Sequence, residues 1–307
     1  MEHKSTANYI KAIAEVRSIS VAAENLGISQ PALSSYLKKQ EKELGAALFD
    51  RSKQPLEITE AGKAYIDFLD RAAVLQRELA QNLADIADMN TGYLTVGGAS
   101  FFNVAYIPGA IAEFAKKYPN INIEIIDGKV SELTTAAHNG VLDLFITPFD
   151  DETDRFSYEE LLSEKIYLAV PSEWEINREL KNSTAGGKIT KEQFRELCRY
   201  TFITLKKEQH IGQIMEKLFR KYGCRPERII TAEQTMTTFA LTLSGVGISL
   251  ITESSINHSG RMKLPELYTV DPSICSREIY IAYPKNKYMS RATKEFIRIL
   301  KRVNKNS

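Results

Sequence analysis

Cysteine and histidine are nearly absent from this 307-residue chain, with three of the first and four of the second. Cys198, Cys224 and Cys275 are odd in number and far apart, and no pair has CxxC spacing. That excludes a disulfide framework or a zinc module readable from spacing, and the three read as buried free thiols. No apolar run approaches the ~20 residues that cross a bilayer. The opening MEHKSTANYIKAIAEV lacks the apolar core of a signal peptide and is already patterned as a helix, so a cytoplasmic protein is expected. An excess of one charge is missing too. The 40 Lys/Arg and 39 Asp/Glu leave a net charge of +1, which argues neither for nor against nucleic acid. GxSxG, HExxH and P-loop patterns do not occur, and no internal repeat is visible. No cofactor or metal is expected.

What is present is an ordinary globular composition, 43% hydrophobic and 26% charged, in a chain long enough for two or three compact units. Residues 1 to about 58 are short helical segments broken by Gly27, Gly45 and Pro55. Residues 59 to 89 form one uninterrupted helical pattern. From Gly92 onward, short β-branched runs alternate with amphipathic helices, as in α/β construction. Ser290 to Lys305 reads as a basic closing helix.

In the first region Tyr9, Ile10, Ile13 and Val16 recur at helical spacing. Ser20 is placed as N-cap of a second helix, Val21 to Leu26, ended by Gly27. Ser29 caps a third, with Pro31 near its start, where a missing N–H costs little. Two helices joined by a short turn containing Gly match a helix-turn-helix. The third helix has an inward row, Leu33, Leu37, Gln40 and Leu44, with one polar intruder. Its opposite row is Gln30, Ser34, Lys38 and Lys42. Short hydrogen-bonding groups in the first turn and cations further along suit a helix entering the major groove. An ordinary solvated face is the competing reading, since residues 1–60 hold eight basic and eight acidic side chains.

The run SISVAAENLGISQPALSSYLKKQEKELGAALFDRSKQPLEITEAG, Ser18 to Gly62, closely resembles the DNA-binding segment of LysR-type transcriptional regulators. The matching points are Ala22-Ala23, Leu26, Ser29-Gln30-Pro31, Ser34, Leu37, Glu41, Leu44-Gly45, Leu48-Phe49, Arg51, Thr59 and Ala61-Gly62. The resemblance implies an all-α winged helix-turn-helix over residues 1–58, with Ser29 to Lys42 as recognition helix and Leu48 to Ile58 as wing. It puts Ser20, Ser29, Gln30, Pro31, Ser34, Ser35 and Lys38 at the DNA, with Arg51 and Lys53 of the wing beside the backbone or minor groove. Two departures stand out. Ser35 replaces an arginine common in relatives, and Gln40 replaces the leucine expected before Glu41.

Thr59 is suited to cap the next helix, whose apolar residues Ala61, Tyr65, Phe68, Ala72, Leu75, Leu79, Leu83 and Ile86 nearly follow a heptad. Arg71, Gln76, Arg77 and Gln81 flank that seam, which argues for pairing with a second helix. The resemblance implies a homodimer through 59–89, a homotetramer built from such dimers, promoter DNA as partner, and RNA polymerase as a further one.

For residues 91–307 the resemblance implies an effector domain of two α/β lobes of the periplasmic-binding-protein type 2 kind. Lobe I is expected over 91–170 and 269–307, and lobe II over 171–268. Thr190-Lys191-Glu192-Gln193 reads as a capping box, and the polar segment Asn177 to Lys188 as a loop. In open α/β sheets ligands sit at the C-terminal ends of strands. That points to Ser100, Lys129, Thr147, Thr204, Gln209 and Gln234, with Phe101 and Phe102 as apolar walls, around a small, anionic effector. His210 is a further candidate lining residue, with a surface or capping role as the favoured reading. Two other readings are weighed. An enzyme would reveal itself by turnover, and a thiol redox-responsive regulator on the same scaffold would lose its response with all three cysteines replaced.

Overall fold

The computed structural model describes residues 2–86, 92–148, 155–183, 187–260, 263–285 and 287–305. The chain divides into two units, Met1–Asn82 and Leu83–Ser307.

The first unit is built on α1 (Glu2–Val16), α2 (Ile19–Asn25) and α3 (Gln30–Leu44), then the two-residue strands β1 (Phe49–Asp50) and β2 (Glu57–Ile58), and α4 (Glu60–Ile86). Ile10, Ile13, Ala22, Ala23, Leu33, Leu37, Leu48, Phe49 and Leu69 fill one small core. Leu69 belongs to α4, so the first turns of the long helix are part of this core rather than a free linker. The helix breaks follow local chemistry. Ser18 in extended conformation caps α2, its hydroxyl accepting from the Val21 N–H at 3.4 Å. The cap is therefore Ser18 and not Ser20, because starting the helix at Ile19 sets that side chain against the core. Gly45, at φ 69°, closes α3 in the left-handed region. Thr59 opens α4: its hydroxyl accepts from the Gly62 N–H at 3.0 Å and donates to the Ala47 carbonyl at 2.6 Å.

The second unit is a nine-stranded mixed sheet with helices packed on it. Its elements are β3 (Gly92–Gly98), α5 (Ser100–Ala105), α6 (Ile107–Lys117), β4 (Ile121–Asp127), α7 (Val130–His138), β5 (Leu144–Thr147), β6 (Phe156–Val170), α8 (Ile176–Ser183), α9 (Lys191–Leu197), β7 (Phe202–Leu205), α10 (His210–Tyr222), β8 (Ile229–Ala232), α11 (Thr235–Leu243), β9 (Ile248–Thr252), α12 (Glu253–Asn257), β10 (Glu266–Tyr268), β11 (Ser276–Pro284) and α13 (Arg291–Lys305). The strand order is β4-β3-β5-β11-β6-β9-β7-β8, with β10 beside β6. Two large cores flank the centre, one around Phe114, Ile279 and Phe296, the other around Phe194, Phe202 and Leu218. These are the two lobes.

β6 serves both lobes. Its residues Phe156–Lys165 pair antiparallel with β11, and Ile166–Ala169 pair with β9. The first crossing thus lies inside one 15-residue strand, not at 170/171 as expected, and Val270 and Cys275 pack with the second lobe. An unbroken strand is consistent with the apolar run at its end, IYLAV, which is needed by both neighbours. One helix precedes α6 and one further expectation changes. Ser100–Ala105 forms α5, ahead of α6, whose first turn holds Pro108. Residues 177–183 of the expected polar loop are helical in α8, where Ile176 and Leu180 reach the core one turn apart. Residues 184–186 of that loop lie outside the described residues. The capping box is present: Thr190 accepts from the Gln193 N–H at 3.3 Å and the Gln193 side chain accepts from the Thr190 N–H at 2.8 Å.

Candidate nucleic-acid and effector sites

The exposed face of α3 starts from its cap. The Ser29 hydroxyl accepts from the Ala32 N–H at 3.4 Å, Pro31 stands in the first turn, and Leu33 and Leu37 anchor the inner side with no exposure. That leaves Gln30, Pro31, Ser35, Lys38 and Lys42 exposed and Ser34 half-buried beside them, while Ser20 is exposed on α2. A first turn of amide and hydroxyl groups followed by ammonium groups is what base edges and then phosphates require.

The two unusual residues of α3 have separate outcomes. Gln40 is held inside by polar partners. The Tyr65 hydroxyl donates to its Oε1 at 3.0 Å, and its Nε2 donates to Glu43 at 3.0 Å. Leu44 does not complete the inward row; it is 44% exposed, because the helix is about to end at Gly45. Glu41 is the organiser that sequence reasoning noted only as a matching point. Its Oε1 accepts from the Leu48 and Phe49 N–H groups at 2.9 and 3.4 Å, and its Oε2 accepts from Arg51 at 2.7 Å. One carboxylate thus fastens the wing to the end of α3. Arg51 is turned back onto it and remains exposed, and Lys53 pairs with Glu57 at 3.2 Å. The Leu56 N–H donates to the Arg17 carbonyl at 3.0 Å, holding the far side of the wing.

In the second unit the expected effector residues fall into two sets, each at the C-terminal rim of parallel strands. In lobe I, β3 lies between β4 and β5, so Ser100, Lys129 and Thr147 follow or end adjacent parallel strands. In lobe II, Thr204 is near the end of β7 and Gln209 follows it, while Gln234 follows its parallel neighbour β8. Lys206 first, and Lys129 more weakly, hold the Glu233 carboxyl below its usual range, so a lobe I lysine acts on a lobe II rim.

The individual roles differ. Ser100 is exposed at the start of α5; the N-cap is Ala99, so the serine hydroxyl is not used for capping. The Lys129 N–H donates to Glu132 at 2.9 Å, and its ammonium group stays exposed. Thr147 is buried. The Thr204 hydroxyl donates to the Leu205 carbonyl at 3.2 Å. Gln209 is occupied at both ends, accepting from the Lys206 N–H at 3.2 Å and donating to the Glu233 carbonyl at 2.8 Å, which ties two rim loops together. Gln234 is exposed at the N-cap of α11. Phe101 and Phe102 pack inward. They are 9% and 5% exposed in the lobe I core, where β3 and α6 demand apolar side chains. Asn103, missed in the sequence, anchors this rim by donating to the Gly98 and Ile126 carbonyls at 3.2 and 3.1 Å and to Asp127.

Where β6 and β11 cross between lobes lies a buried polar cluster that no motif announced. Glu164 and Arg277 are cross-strand partners, and the Arg277 Nε donates to Glu164 Oε1 at 2.6 Å. Both are nearly sealed from solvent. The Ser254 hydroxyl and N–H, from lobe II, donate to Glu164 Oε2 at 2.5 and 3.2 Å. From lobe I the Phe102 ring faces the Arg277 guanidinium at 5.0 Å. The Tyr106 hydroxyl is buried beside them, and burial, then the Glu164 charge, pushes its phenol up. His210 is half-buried at the start of α10, and desolvation, then the Arg277 charge, lowers it to about 4. It is neutral at physiological pH.

Comparison with known proteins agrees with both halves. The family model described as "Bacterial regulatory helix-turn-helix protein, lysR family" matches residues 6–63, and "LysR substrate binding domain" matches residues 87–305. A probable RuBisCO transcriptional regulator of Cyanidium caldarium is 28% identical over 293 residues, 94% of this chain and 89% of that one. The HTH-type transcriptional regulator YybE of Bacillus subtilis (strain 168) is 25% identical, with 94% of each chain covered. Among solved structures the LysR family regulator CbnR covers 98% of this chain and 99% of its own at 19% identity, TM-score 0.69. CbnR in complex with its target DNA fits equally, at 20% identity and TM-score 0.69.

Proposed function

This chain belongs to the LysR family of DNA-binding transcriptional regulators, and from that premise we propose that α3 reads promoter DNA while a small anionic metabolite, bound between the lobe rims, alters that reading. The observation that carries the first part is the face of α3: Gln30, Ser34 and Ser35 present hydrogen-bonding groups in the first turns, and Lys38 follows where the backbone runs. Arg51 and Lys53 extend the contact from the wing, and Ser20 and Ser29 meet phosphate at the adjoining helix starts. Ser35, uncharged where an arginine is common, gives this protein a reading of its own at that step.

A promoter of two half-sites needs two copies of the helix. Phe68, Leu75, Leu79 and Leu83 are each more than half exposed along one side of α4. Burying one such side chain stabilises by about 1.5–3 kcal/mol, so a second α4 is the natural cover. The flanking Arg71 and Gln76 are exposed as a rim; the side chains of Arg77, Gln81 and Ile86 lie outside the described residues. Pairs of such dimers give a tetramer, acting in the cytoplasm and engaging RNA polymerase at the promoter. Leu79→Glu should shift sedimentation from the oligomer to the monomer, and an unchanged sedimentation coefficient would remove α4 from the interface.

For the effector, Ser100, Lys129, Thr204 and Gln234 line opposed rims, and Lys129 with Lys206 supplies positive charge. A carboxylate or phosphate suits these groups. Recovering the genomic DNA bound by the protein identifies the regulated genes and hence the metabolite. With that metabolite in hand, footprints should change for the native chain and not for Ser100→Ala, while basal DNA binding is equal in both. A ligand-induced footprint change in Ser100→Ala would move the site elsewhere.

A further inference from the structure

Two of the three cysteines, 26 residues apart in sequence, meet in the lobe II core: the Cys198 and Cys224 sulfurs are 2.7 Å apart. That is about 0.7 Å beyond the ~2.05 Å of a covalent S–S bond. Both backbones are held in place. Cys198 is the C-cap of α9, and its N–H donates to Phe194 at 3.1 Å. Gly223, at φ 64°, ends α10 in the left-handed region and turns Cys224 back, so that the Cys224 N–H donates to the Phe219 carbonyl at 3.2 Å. The two helix ends are fastened together by Arg195, whose Nε donates to the Tyr222 carbonyl at 2.9 Å, and by the stacked Phe194 and Tyr222 rings at 4.7 Å.

We propose that Cys198 and Cys224 are a reversible disulfide site, oxidised by a peroxide. The inference stands apart from the effector reading. Both cysteines are free thiols here. Cys224 is partly exposed and Cys198 is 7% exposed, so Cys224 meets the oxidant and Cys198 resolves it. Burial raises the Cys198 thiol, which keeps it protonated until the second step. The Cys224 thiolate attacks one oxygen of hydrogen peroxide and the O–O bond breaks. One oxygen stays as the Cys224 sulfenic acid; the other leaves as hydroxide and takes the proton that the thiol gave up, forming water. The Cys198 sulfur then attacks the Cys224 sulfur, the S–O bond breaks, and the departing hydroxide takes the Cys198 proton as a second water. Two thiols and one peroxide give one disulfide and two waters. The bridge would lock the end of α9 to the turn after α10, the helix whose first residue is His210 in the buried cluster.

The test is oxidation of the full-length reduced protein with equimolar hydrogen peroxide, then blocking of free thiols and peptide mapping without reductant. The expected result is a loss of two hydrogens, a peptide joining Cys198 to Cys224 within one chain, Cys275 found blocked, and reversal by dithiothreitol. Cys198→Ser should leave Cys224 as a sulfenic acid captured by dimedone, and Cys224→Ser should leave Cys198 as a thiol. The proposal is overturned if both thiols of the native chain stay blockable, or if the bond found joins two chains or involves Cys275. The native-chain map decides this even where a variant does not fold.

Discussion

The outer face of α3 and the cluster at the lobe crossing use similar chemical groups to opposite ends. On α3, amide, hydroxyl and ammonium groups come from fifteen consecutive residues, lie on one side of one helix and point into solvent. At the crossing, Glu164, Arg277, Ser254 and His210 come from four elements and Tyr106 from the junction of α5 and α6, and they turn inward on one another. A surface that must exchange partners keeps its polar groups hydrated and cheap to redirect. A joint that must hold two bodies in register satisfies its charges internally, so that any change in their geometry is costly.

The comparison breaks most visibly if one charge of the joint is removed. Arg277→Met leaves Glu164 buried and uncompensated and should lower unfolding stability by about 3–5 kcal/mol. The double variant with Glu164→Gln should recover most of that loss. Urea unfolding checks both, and a loss under about 1 kcal/mol for Arg277→Met would mean that the pair is solvated in solution. On α3 the expected effects are on binding and not on folding. Gln30→Ala should cost about 1–3 kcal/mol on a recovered target and almost nothing on random duplex. Lys38→Ala should weaken both alike and reduce the salt slope by about one. Fluorescence anisotropy across a salt series separates the two, and equal losses for Gln30→Ala on target and random DNA would end its base-reading role. The pH response is smaller and sharpens the contrast further. His210 is lowered to about 4 in the fold against an ordinary value near 6.5, so the unfolded chain binds its proton first. Stability is full above about pH 6.5 and falls as pH drops toward 4, by on the order of 2 kcal/mol. A His210→Gln chain should show a flatter profile over that window in pH-stepped thermal melts.

The same contrast explains what was legible in the sequence. A helix carries its own grammar: the Ser29 cap and Pro31 marked the start of α3, which runs on past the expected Lys42 to the break at Gly45, and Thr59 and Thr190-Gln193 marked two more starts. Where two caps compete within three residues, as at Ser18 and Ser20, core packing of Ile19 decides, and that is not local. The rims were legible as a class, because strand ends and their following residues are local too. The cluster was not. Glu164 and Arg277 are 113 residues apart and meet only through antiparallel register. Phe101 and Phe102 follow a strand end, as pocket residues do, and only the packing of α5 on lobe I shows that they face inward. The Cys198–Cys224 contact has the same character: neither residue has a motif, and two helix ends bring them together.

A crossing made of two loops bends like a strap, but β6 passes between the lobes as one continuous strand, paired with β11 up to Lys165–Ser276 and with β9 from Ile166–Thr252. Such a ribbon resists folding across its width and yields most easily in twist. Any motion of one lobe against the other then becomes torsion along β6.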